Sequence, residues 1–346
     1  MKKSLFFSIL KYLIFVSFGG GLFYYVFHSQ EEVYRIQCMQ DPALGGNCSL
    51  WSKLLHDIRH LNWFLISLVM LGFILSNLMR ARRWVIMLKP LGIHSGLWET
   101  YWAVHLGYFA NLALPRMGEI ARGGALAKRL KAPLEKVLGT IISDRLLDML
   151  VLSIFTAIAF SLQTQILYNF LSKKASISIW HLMIVGILGI VGIGFIVYLF
   201  RTDRVYHPVI EKLKNRLTGF IAGILSLGKN ERPLEMVALS LGIWIMYFAM
   251  TVIGLKAFEP TSKVTLVQGF IVFIIGSLGM IIPTPGGMGP FHVLTMSALG
   301  IYGISSIDGF SYANLSFFII QIVTISVFGL IGMFYLAKNK HKPTLG

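Results

Sequence analysis

Acidic residues and cysteines are scarce in this sequence. Only 15 Asp and Glu stand against 31 Lys and Arg, and there are two cysteines, Cys38 and Cys48. No His or Cys occurs at metal-ligand spacing, and there is no Walker loop, Gly-x-Ser-x-Gly or dinucleotide fingerprint. Neither a metal centre nor ATP-driven chemistry within the chain is expected, and no cofactor is implied. Long polar stretches are missing too. The longest loops, 28–60 and 201–233, are too short to support a soluble core of their own. With 55% hydrophobic and 13% charged residues, the composition is that of an integral membrane protein.

The net charge of +16 does not point to nucleic acid. The bases sit in short clusters between apolar runs, without the continuous basic, aromatic-interleaved surface such binding needs. They follow the positive-inside rule instead. One face collects Lys2, Lys3 and Lys11, the bases from Arg80 to Lys89, Arg116 to Lys136, Arg201 to Arg232, and Lys338 to Lys342. That is 23 of the 31 Lys and Arg. The expected placement is a cell inner membrane, multi-pass, with both termini cytoplasmic. Cys38 and Cys48 then share an outer loop, where a disulfide between them is plausible in an oxidising compartment.

Six full spans are expected over about 5–27, 61–79, 138–162, 179–200, 234–256 and 310–337. Residues 5–27 follow Met-Lys-Lys as a signal peptide would, but their length and the lack of a small-x-small cleavage site favour a retained helix. Two further apolar segments are broken. The segment 97–130 enters from the cytoplasmic side, breaks at Pro115-Arg116-Met117-Gly118 and resumes. The uncharged run 264–307 is interrupted by Pro283, Pro285, Gly286, Gly287, Gly289 and Pro290, which cannot stay helical. Non-helical backbone at membrane depth is tolerated where it is buried in protein or lines a wet cavity. Two broken hairpins, about 97–130 and 264–300, entering from opposite faces suggest an inverted repeat with a site where the breaks meet. The alternative is a pair of merely kinked or interfacial loops. The fold class is therefore all-α, in a single transmembrane domain over 1–346.

Charged residues inside a span need partners. If the helix over 138–162 enters near Leu138, Asp144 lies about 9 Å deep and Asp148 about 15 Å. With Arg145, three unpaired charges cost about 8 to 10 kcal/mol. Arg145 precedes Asp148 by three positions and can reach it. One base against two acids leaves a carboxylate over, and Arg116 and Arg122, flanking Glu119, are the nearest spare cations; Glu119 could also pair with Arg122. A cluster of Glu119, Arg122, Asp144, Arg145 and Asp148 is expected. It either holds the broken helix in place or offers guanidinium forks to an anionic headgroup. His292 opens the half-helix after the second break, as a capping residue or a proton carrier.

These residues resemble a family. Asn111 to Arg122, with Pro115, Gly118 and Glu119, then Ser143-Asp144-Arg145-Leu-Leu-Asp148, then Pro283-Thr-Pro285-Gly286-Gly287-Met-Gly289, are similar to the motifs of the lysylphosphatidylglycerol synthase transmembrane-region family. The likeness runs over nearly the whole chain. Asp144 stands where that family more often has Glu, His292 where it usually has Glu, and the first break is one residue shorter. In the full synthase, aminoacyl transfer belongs to a soluble domain, and none is expected here. The resemblance implies the membrane half, a lipid-translocating or lipid-binding module and not an enzyme.

The resulting expectation is a translocase or binding transporter for an anionic phospholipid or a polyprenyl-phosphate-linked lipid. Arg116, Glu119, Arg122, Asp144, Arg145 and Asp148 would take the headgroup near the midplane. The second break would line the far wall. The rival readings are a membrane-embedded transferase, or an accessory that anchors lipid-synthesis enzymes.

Overall fold

The computed structural model describes residues 24, 27–28, 31–32, 35, 48–113, 117–164, 231–282 and 284–338. Arg116, Pro283, Cys38, the expected span 179–200 and all of the expected span 5–27 except residues 24 and 27 lie outside the described residues. The described part is helical, without strands. Its elements are α1 (Leu50–Arg59), α2 (Trp63–Leu88), α3 (Leu97–Ala113), α4 (Met117–Leu130), α5 (Leu134–Leu162), α6 (Pro233–Ala257), α7 (Leu266–Ile281), α8 (Pro290–Gly300), α9 (Ser306–Phe317) and α10 (Ile325–Lys338). A π-helical stretch, Phe318–Thr324, joins α9 to α10. Among the described residues, four helices are long and apolar enough to cross a membrane: α2, α5, α6 and the continuous α9–α10.

Local signals fix the ends of these helices. Asn62 caps α2 by accepting the Leu65 N–H at 3.2 Å, and Thr265 and Gln268 form a reciprocal capping box on α7. Helix α2 stops at a short 3₁₀ turn containing Pro90, followed by Gly92 at φ 71°. The sequence reading ended this span at 79 and put Arg80 to Lys89 in a loop, which the structure corrects. The helix continues to Leu88 because Arg80, Arg83, Trp84 and Met87 lie on one buried stripe at helical spacing. Their interior partners outweigh the loop-like charge of the segment. Likewise α5 starts at Leu134, four positions before the expected 138, just after Pro133.

Alternating directions give the bundle two ends. The basic end carries Leu88, Leu134, Pro233 and Lys338, and Arg82 pairs there with Glu235 at 2.8 Å. At the opposite end the Asn62 N–H donates to the Ala257 carbonyl at 3.0 Å. There α1 lies across the start of α9, with Leu50 and Leu54 on Ile307 and Phe310. Lys53 Nζ binds Asp57 at 3.0 Å and Asp308 at 3.1 Å. Burial opposes the Lys53 charge, but these carboxylates outweigh it and hold the ammonium above its usual value. Cys48, also at this end, is disulfide-bonded.

The broken segments are re-entrant hairpins inserted from opposite ends. In the first, α3 and α4 cross so tightly that a Cβ on Gly118 would lie 2.2 Å from the Gly107 carbonyl oxygen. Asn111 Oδ1 accepts the Gly118 N–H at 2.7 Å and bridges the break. In the second, a Cβ on Gly279 would meet Phe291 Cα at 2.9 Å, and Gly286, Gly287 and Gly289 take φ of 59°, 82° and 91°. The tips meet: Leu112, near the end of α3, and Phe317 pack against Gly286. Lipid tails are as apolar as leucine, so van der Waals fit and polar satisfaction hold these helices together, not transfer from water.

Candidate functional site

Five charged side chains converge where α2, α4 and α5 cross. Arg80 and Arg83 come from α2, Arg122 from α4, and Asp144 and Asp148 from α5. Asp144 Oδ1 accepts from Arg83 Nε at 3.0 Å and Nη2 at 2.6 Å. Its Oδ2 accepts from Arg80 Nη1 at 3.1 Å and Arg122 Nη2 at 3.2 Å. Asp148 Oδ1 accepts from Arg83 Nη2 at 2.7 Å, and its Oδ2 from Arg80 Nη1 at 2.8 Å. Ser240 on α6 takes the remaining Arg83 Nη1 at 2.9 Å, and the Arg122 guanidinium lies 5.0 Å over the Trp84 ring. Asp144 and Arg83 are wholly buried. A buried charge is tolerated only when it is paired and hydrogen-bonded this fully.

A second ion pair sits beside this network. Arg145 Nη2 donates to Glu119 Oε1 at 2.5 Å. Its side chain is 42% exposed, and that of Glu119 25%. Counting both groups, four arginines face three carboxylates, which leaves one positive charge in excess.

The structure therefore brings Glu119, Arg122, Asp144, Arg145 and Asp148 together but changes who pairs with whom. The expected Glu119–Arg122 pair does not form; Arg122 turns inward to Asp144. The expected Arg145–Asp148 hydrogen bond does not form either, because the two Asp148 oxygens accept from Arg83 and Arg80 while Arg145 donates to Glu119. The main partners, Arg80 and Arg83, are not in the expected cluster, nor is Tyr247, whose hydroxyl accepts from Arg80 Nη2 at 3.4 Å. The signal was available in the Arg80/Arg83 spacing of three on one helical face, opposite the Asp144/Asp148 spacing of four. Arg80 lies about 12 Å along α2 from its Leu88 end, so the network sits well within that apolar helix and not at its terminus.

A cavity of about 630 Å³ opens from this network, within the usual range for ligand sites. Arg80, Tyr108, Asn111, Glu119, Arg145 and Asp148 line its polar end. Away from it the walls are apolar, following α2 through Phe73, Val69 and Ile66, about 21 Å along the helix. The opposite wall carries Thr284, Gly286 and Gly287 of the second break. Arg80 Nε, Glu119 Oε2, Thr284 Oγ1 and Thr295 Oγ1 have no hydrogen-bond partner. Gln321, from the π-helical stretch, also reaches this wall.

His292 is buried on that side but is not among the cavity residues. Its Nδ1 accepts the Gly289 N–H at 3.4 Å, and its ring packs 4.8 Å from that of Phe317. Its bonding is that of a cap closing the break. Among the described residues no group of three or more His, Cys, Asp or Glu could hold a metal ion.

A family model described as "Lysylphosphatidylglycerol synthase TM region" matches residues 49–331. A UPF0104 membrane protein of Pyrococcus horikoshii is 24% identical over 302 residues, covering 80% of this chain and 87% of that protein. No solved structure matches the chain.

Proposed function

The chain belongs to the lysylphosphatidylglycerol synthase TM region family, and we propose that it binds the phosphate of an anionic or polyprenyl-linked lipid in this cavity and moves it between leaflets. One observation carries the reading: a largely apolar cavity inside the bilayer ends in a polyarginine network with an excess positive charge. An apolar tail suits the walls, and a phosphate suits the guanidinium end. Arg80 lines that end of the cavity and its buried Nε has no hydrogen-bond partner, while Asp144 and Asp148 hold the arginine forks in place. Arg122 stiffens the network from the first break and contacts the lipid only through it. The basic ends of the helices face the cytoplasm in this reading, with both termini on that side of the inner membrane.

Reconstitution tests it. Purified protein in phosphatidylcholine vesicles should move acyl-labelled phosphatidylglycerol between leaflets, read by quenching of the outer label. Arg80→Gln should reduce the rate by about tenfold or more. Mass spectrometry of co-purified lipid should show an anionic lipid that diminishes in Arg122→Ala. A wild type that neither moves nor retains anionic lipid overturns the reading. The family description names the membrane part of a synthase, so an accessory role in lipid synthesis is the second reading. It predicts retained lipid without movement.

A further inference from the structure

The cavity has a side opening as well as a polar end. Besides its buried wall it is lined by Met149 of α5 and by Met280, Ile281 and Ile282 at the end of α7. These residues are also exposed: Met149 is 55% exposed and Ile282 45%. Their neighbours Leu146 and Leu150 are exposed as well. At the same edge lies the Arg145–Glu119 pair, also part of the lining. The Arg145 side chain is 42% exposed and lines the cavity, on a helix where an arginine without a partner is costly. One oxygen of its partner, Glu119 Oε2, is left without a hydrogen bond. A purely structural tie would be buried and saturated, as Arg83–Asp144 is.

Resting on the reading above, we infer that the gap between α5 and the end of α7 is a lateral portal to the bilayer, and that Arg145 is the cation that receives the lipid phosphate on its way in. Glu119 holds the Arg145 fork at the threshold while the portal is vacant. The phosphate displaces it and passes inward to Arg80. The tail stays among the exposed apolar side chains, so the headgroup crosses without its chains leaving hydrocarbon.

Cysteine blocking tests this. Among the described residues no cysteine is free, and a cysteine replacing Met149 adds one thiol for labelling. A bulky membrane-permeant maleimide on Met149→Cys should slow movement of labelled phosphatidylglycerol by about tenfold or more, compared with the unconjugated variant. The same adduct on Ile245→Cys, an exposed site of α6 away from the cavity, should leave the rate unchanged. Equal rates for both adducts overturn the portal and leave the transport reading standing. Excess glycerol 3-phosphate in the bath should not compete, and inhibition by it would mean that the site opens to water, against the portal.

Arg145→Gln should lower the rate for phosphatidylglycerol more than for phosphatidylcholine, with Arg145→Lys restoring the preference. An equal loss for both lipids would make Arg145 a structural tie and overturn its role. If wild type moves no lipid, the transport reading fails, and the portal is judged on phosphatidylglycerol retained in native mass spectrometry. Exclusion by the Met149 adduct then supports it, and retention overturns it.

Discussion

Asp144 and Arg145 are neighbours in the chain and end in opposite surroundings. Asp144 accepts four hydrogen bonds from three arginines and is wholly buried. Arg145 makes a single bond to Glu119 at the edge of the cavity. The 100° step between adjacent helix positions separates them. The inner network fixes α2, α4 and α5 to one another, because each of its charges would be prohibitively costly without the others. The edge pair joins α4 to α5 by a single hydrogen bond, and in the proposed portal it is the contact point for an incoming anion. One acidic-basic motif therefore supplies both a saturated buried tie and a partly exposed pair at the cavity edge.

The comparison can be broken from its rigid side first. Asp144→Ala leaves three buried guanidiniums without their shared acceptor, and a loss of about 3 to 5 kcal/mol is expected. In detergent the variant should lose its folded peak on size exclusion, and a folded peak would show the network to be replaceable. Asp148→Asn keeps the shape and one acceptor oxygen but removes a charge shared by two arginines. It should remain folded with a loss of about 1 to 3 kcal/mol, read as a lower Tm.

The loose side should respond less in stability. Arg145→Gln is expected to lower Tm less than Asp148→Asn, because its side chain is partly exposed and makes one hydrogen bond to a carboxylate that the glutamine amide can still meet, so its main effect belongs in lipid movement. A drop as large as that of Asp148→Asn would erase the distinction. The smallest change concerns the ion group at the far end of the bundle. Lys53→Met, which unties α1 from Asp308, should cost about 0.2 to 1 kcal/mol at neutral pH. Because the Lys53 ammonium is held above its ordinary 10.5, its contribution is complete below that pH and is lost only as pH rises through the higher folded value. The gap in Tm between wild type and Lys53→Met should therefore be constant from neutral pH to about 10 and narrow beyond it.

Much of the architecture was legible in residue order. Hydropathy located the four described spans and both broken hairpins, because a bilayer imposes a length on any crossing segment and proline with glycine imposes a stop. Charge within a span marked Asp144, Arg145 and Asp148 for the same reason of cost. Arg80 and Arg83 were misplaced because a basic cluster after an apolar run reads as a cytoplasmic loop by the same rule that placed the other clusters. Nothing local distinguishes an arginine that ends a span from one that lies inside it; the difference is a carboxylate more than sixty positions away. Pairing within the cluster was likewise open, since Glu119, Arg122, Arg145 and Asp148 allow several matches at similar spacing.

Sequence by itself determined that the chain lives in a membrane, that its helices are interrupted in two places, and that buried charge must be paired. Those conclusions follow from solvent cost, which each residue carries wherever it sits. Tertiary structure alone decided that the tips of the two hairpins meet at Leu112 and Gly286, that α2 supplies Arg80 and Arg83, and that a cavity remains between the charged wall and the glycine turn. Partners and empty space belong to no single segment. They exist only once helices distant in the chain pack together, and the packing selects one pairing from those that spacing permits.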